Sequence, residues 1–101
     1  MIDAKQTVLG ALMLTAANDP QFDGVTDAAD IVAGLDSMGH VEWAGYISDA
    51  ISLELGKKVE MNAIDAMRWA GNRNLENPFR DIKSMAAYVA FLTKEADDEV
   101  L

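Results

Sequence analysis

The residues best equipped for chemistry sit together in "IVAGLDSMGHVEW", residues 31–43, where Asp36, Ser37 and His40 follow one another closely and His40 is the sole histidine of the chain. Three chemistries are open to such a serine. As a nucleophile, Ser37 would use His40, because residues three apart on a helix share a side. A serine hydrolase also needs an orienting group, an oxyanion hole and a G-x-S-x-G elbow between strand and helix, and the sequence offers none of these. As a cap, Asp36-Ser37 simply starts a helix. As an attachment point, a serine in a first helical turn faces solvent beside free backbone N–H groups. A phosphodiester on its oxygen would lie at the positive end of the helix dipole. Gly34 would keep the preceding loop slim for a modifying enzyme. This third chemistry needs no internal base, because another enzyme performs it.

The elements that must position these residues are helical. Residues 3–18 predict a first helix, with Val8/Leu12 and Leu9/Met13 as i,i+4 pairs. Asn18-Asp19-Pro20 ends it. Residues 19–35 read as a long loop, in which Asp27 or Asp30 starts a short helical turn that buries Ile31 and Val32. A second helix begins at Ser37 with Asp36 as N-cap. Its stripe is Met38, Val41, Ala44, Ile47, Ile51 and Leu55. Gly45 weakens it, and Gly56 ends it, with Lys57 and Lys58 near the negative end of the dipole. Residues 60–71 predict a third helix with Met61, Ile64 and Met67 on one side. "GNRNLENP" breaks the chain before a last helix over about 81–96, whose inner stripe is Ile82, Met85, Val89 and Leu92. No β pattern or internal repeat is visible. The expectation is an all-α small bundle of four helices, with a long loop between the first two.

Composition narrows the function classes. A chain of 101 residues, 50% hydrophobic and 25% charged, fits one globular domain over residues 1–101. No apolar run reaches the length of a membrane span. The start lacks a signal-peptide pattern, so a cytoplasmic location is expected. There is no cysteine, which excludes disulfides and thiolate chemistry from the chain itself, and no metal site is expected. The net charge is −9, with eight acids and one base in residues 1–50 against nine acids and seven bases in residues 51–101. An acidic front half argues against binding nucleic acid and for a basic protein partner. The same charge fits a plain solubility role, or a small acidic interaction module that mimics nucleic acid in a partner's basic cleft.

"GLDSMGHVEW" resembles the G-x-D-S-[LM] signature of acyl carrier proteins and related carrier domains. Val41-Glu42 stands where that family usually has Val-Glu on its second helix. "DIKSMAAYVAFL" is similar to its last helix, with Tyr88-Val89 where a Tyr-Ile pair is common. "FDGVTDAADIVAGL" fills the place of its long first loop. The resemblance covers most of residues 3–55 and 81–93. The chain departs from the pattern at Ala33, where a larger residue is usual, and in a second helix with fewer acids. It is also longer, by an insert over about residues 57–78, and it ends in an acidic tail over about 95–101. In the placement of the insert it resembles enlarged carriers that deliver very long acyl chains to lipid A.

The resemblance implies a non-catalytic carrier with the acyl-carrier fold and an enlarged third-helix region. Ser37 would bear 4′-phosphopantetheine from coenzyme A, installed by a phosphopantetheinyl transferase, with Asp36 and Met38 beside it. Acyl groups would ride on the arm as thioesters for synthases or acyltransferases in fatty acid, lipid or secondary-metabolite assembly. Val41, Glu42 and Asp49 would face the basic docking patches of those enzymes. Val8, Leu12, Val41, Ile47, Ile51, Ile82 and Val89, with Met38, would line the interior that shelters an acyl chain, or simply pack a core. The carrier would be a monomer, with no nucleic acid partner and no membrane span. Trp43 and Tyr46 share a helix side, and the expectation is that the insert covers them through Met61, Ile64, Met67 or Trp69. His40 is expected at the surface near the arm, with no catalytic role.

Overall fold

Five α-helices and one 3-10 turn make up the computed structural model, which describes residues 3–99 and the side-chain surroundings of residues 3–94. The helices are α1 (Ala4–Ala17), α2 (Ala28–Gly34), α3 (Ser37–Leu55), α4 (Ala63–Asn72) and α5 (Ile82–Glu99), with the 3-10 turn at Pro20–Phe22 between α1 and α2. No strand occurs among the described residues. The chain is thus an all-helical bundle. The sequence predicts four helices and a short helical turn from Asp27 or Asp30; that turn is α2, capped by Asp27, seven residues long and burying Ile31 and Val32. The acidic tail expected over 95–101 lies, in its side chains and last two residues, outside the described residues.

Each helix starts where a short polar side chain can take up an orphan N–H. The carboxylate of Asp3 accepts from the Gln6 N–H at 3.1 Å. Asp27 accepts from Ala29 at 2.8 Å, and Asn62 Oδ1 from Asp65 at 2.9 Å. Asp81 accepts from the Ser84 N–H at 2.7 Å ahead of α5. The ends are as specific. Pro20 follows α1 by three residues, and the Asn18 amide donates back to the Leu14 carbonyl. Gly56 terminates α3 in the left-handed region at φ 69°, a conformation that costs glycine nothing and other residues about 1–2 kcal/mol.

The core forms where α1 lies against α3 and α5. Val8, Leu12, Ile31, Ile47, Ile51, Met85 and Val89 are fully buried, and each such side chain contributes about 1.5–3 kcal/mol of transfer free energy. Trp43 is also at 0% exposure. Its indole N–H donates to the Val8 carbonyl at 3.1 Å, and its ring meets Phe79 edge-on at 6.0 Å. Trp43 is therefore buried by α1 and by the loop before α5, where the sequence predicts cover by Met61, Ile64, Met67 or Trp69. Tyr46 is half-buried and accepts from the Asn18 amide at 2.8 Å.

Two predicted stripes hold in part: Ala44, Ile47 and Ile51 of α3 are buried as expected, and so is Met61 just before α4. On α3 the buried positions are Gly39, Trp43, Ala44, Ile47 and Ile51, while Met38 is 68% and Val41 62% exposed. Met38 and Val41 thus do not line the interior. A tryptophan one position off the predicted stripe is the larger apolar group, and burying it turns the first turns of α3 with it. On α4 the inward face is Ala66 and Ala70, and Ile64 and Met67 point outward at 71% and 51% exposure.

An extended strap, residues 57–62, returns along α3 before α4 begins. Ser48 Oγ accepts from the Met61 N–H at 2.8 Å and donates to the Met61 carbonyl at 3.3 Å. One turn on, Ser52 Oγ accepts from the Val59 N–H at 2.9 Å and donates to the Val59 carbonyl at 3.1 Å. Four residues of helix rise about 6 Å, and two residues of extended chain span nearly the same distance. Serines at i and i+4 therefore match alternate residues of the strap.

Candidate functional site

The Asp36 side chain accepts from the Gly39 N–H at 2.9 Å and so caps α3. Ser37 is the first residue of that helix and is exposed. Gly39 is needed for this turn: a Cβ there would stand 2.8 Å from Leu35 Cδ2 and 3.2 Å from Leu35 Cβ. Leu35, which ends α2, is buried and lies close against Gly39 in the first turn of α3.

The imidazole three residues after Ser37 is in contact with an aromatic ring. His40 turns its ring onto Phe79, with centroids 4.9 Å apart and planes at 30°. It is half-buried. Burial lowers its pKa below the ordinary 6.5, and the nearby Asp36 carboxylate works against that shift. No cluster of three or more His, Asp or Glu residues that could hold a metal ion occurs among the described residues.

Gly34 is the last residue of α2, and a Cβ there would lie 2.8 Å from Phe22 Cε1. Its missing side chain makes room for the buried Phe22 ring.

The other predicted site residues separate into two groups. Met38, Val41, Glu42 and Asp49 are exposed on α3. Val8, Leu12, Ile47, Ile51 and Val89 lie in the core at 0% exposure, and half-buried Ile82 packs against it. The structure therefore places Val41 with the surface group, beside Met38 and one turn from Ser37, and not with the core group. Two relationships that the sequence reading missed also belong to this region. The His40–Phe79 ring contact joins positions far apart in the chain, which no local pattern signals. The Ser48/Ser52 strap could have been suspected from serines at i,i+4 opposite an alternating Val59-x-Met61.

Among the described residues no helix is long and apolar enough to cross a membrane. No family model, curated protein or solved structure matches this chain.

Proposed function

We propose that the chain is a carrier, with Ser37 as the attachment point for 4′-phosphopantetheine. One observation carries this reading. Ser37 is exposed in the first turn of α3, with Met38 next in sequence and Val41 one turn on, both exposed. Two large apolar side chains on the surface of that helix suit a serine that a partner enzyme approaches and modifies.

The residues present fit the group. Asp36 is engaged with Gly39 as the helix cap, which leaves Ser37 as the hydroxyl presented at that end of α3. The first N–H groups of α3 favour negative charge at that end. When bound, the arm supplies the thiol that the chain lacks, on which acyl groups form thioesters. Ser37 would hold the arm, and the exposed Met38 and Val41 would be the apolar side chains nearest to it in sequence on α3. Glu42 and Asp49 extend this face with negative charge toward a transferase, synthase or acyltransferase of basic surface. The buried Val8, Leu12, Ile47, Ile51 and Val89, with Ile82 at the edge, form the apolar interior that an acyl cargo would have to enter. The test is incubation with coenzyme A and a phosphopantetheinyl transferase, followed by intact mass measurement of the wild type and of Ser37→Ala.

A further inference from the structure

Between Lys5 and Lys57 the chain contains no lysine or arginine, and His40 is its sole histidine. His40 is therefore the one side chain in that whole stretch able to carry positive charge, and it stands three residues after Ser37 on α3. At that spacing two side chains leave the same side of a helix, with Cβ atoms about 5–6 Å apart.

The ring is also held in place. It rests on Phe79 at 4.9 Å. Phe79 is 3% exposed, its N–H donates to Asn77 Oδ1 at 2.9 Å, and its other neighbour is the fully buried Trp43. The imidazole is thus anchored by the core beside the most exposed part of the proposed site. The charged groups around it have other partners. Asp36 caps Gly39. On the loop that carries Phe79, Arg80 pairs with Glu76 and Asp81 caps α5 through Ser84. Glu42, farther along α3, is exposed.

We infer that His40 is the positioning residue for the anionic group carried on Ser37, its protonated imidazole pairing with the phosphate oxygens and setting the direction in which the arm leaves α3. The inference rests on the carrier reading of Ser37. In the unmodified protein burial opposes protonation of His40. A phosphate one turn away adds negative charge beside Asp36 and favours the protonated ring.

Phosphoserine installed genetically at position 37 tests this without any transferase. The His40 imidazole is titrated by NMR in the full chain, with Ser37 and with phosphoserine. The expected result is a rise in the His40 midpoint of about half a pH unit or more. In transferase-loaded protein, the arm's phosphorus resonance should show an inflection at the same midpoint, and His40→Gln should remove it. A midpoint unchanged to within about 0.2 unit overturns the pairing. The two readings fail separately. Loading of Ser37 with no shift at His40 removes only the positioning role, whereas a shift without loading by any transferase removes the carrier reading and leaves the pairing.

Discussion

Asp36 accepts the Gly39 N–H at 2.9 Å and thereby separates two duties that share the start of α3. The cap belongs to Asp36, and the hydroxyl of Ser37 is left at the surface. Replacing Ser37 with alanine should therefore leave the thermal midpoint within a degree or so of wild type. Asp36→Ala should cost about 1 kcal/mol, or roughly 4–8 °C in a domain of this size. Thermal unfolding followed by circular dichroism measures both. A large loss in Ser37→Ala would mean that the serine is structural.

The two glycines tested by substitution should respond with opposite signs. Gly45 is exposed inside α3, and a Cβ there meets nothing within 4 Å. Gly45→Ala should stabilise by about 0.5–1 kcal/mol through helix propensity. Gly34→Ala places a Cβ 2.8 Å from the buried Phe22 ring and should destabilise by about 1–3 kcal/mol. Urea midpoints at unchanged slope are the measurement.

The strap over residues 57–62 hangs on two hydroxyls. Ser48→Ala leaves the Met61 N–H and carbonyl without their partner, and Ser52→Ala does the same at Val59. Each should cost about 1–2 kcal/mol, since water reaches these half-buried groups and offsets part of the loss. Hydrogen exchange should accelerate at Met61 in the first variant and at Val59 in the second. Unchanged exchange at both would show that the strap is held by other contacts.

His40 sets a pH dependence of known sign. Its folded-state pKa lies below 6.5 because burial disfavours the charged ring. The unfolded chain then binds the proton first as pH falls. The stability that neutral His40 supports is present above about 6.5 and is lost as pH falls through the folded value. Asp81, held below its ordinary 3.8 chiefly by the Ser84 backbone N–H, acts lower. Its contribution is present above that value and disappears as pH drops through the folded pKa. The thermal midpoint of wild type should decline between about pH 7 and pH 5, and His40→Gln should flatten that segment.

Local signals made much of the fold legible. The caps at Asp27 and Asp36, the stop at Asn18-Asp19-Pro20 and the left-handed Gly56 all act within a few residues, so the sequence displays them directly. The inner face of α5, with Met85 and Val89 fully buried, followed from spacing alone. What spacing could not supply was the rotation of a helix about its axis. Trp43 outweighs Met38 and Val41 for the interior, and α4 packs through Ala66 and Ala70, leaving Ile64 and Met67 outside. Both outcomes depend on how closely neighbouring elements approach. At the candidate site, the serine and its cap were legible. The Phe79 ring under His40 was not, because it comes from a loop thirty-nine residues later.

The most direct measurement is the intact mass of the purified chain after incubation with coenzyme A and a panel of phosphopantetheinyl transferases. The carrier reading predicts one added phosphopantetheine on the wild type and none on a folded Ser37→Ala variant. Absence of any addition to the folded wild type across the panel, or addition that persists in Ser37→Ala, would contradict it.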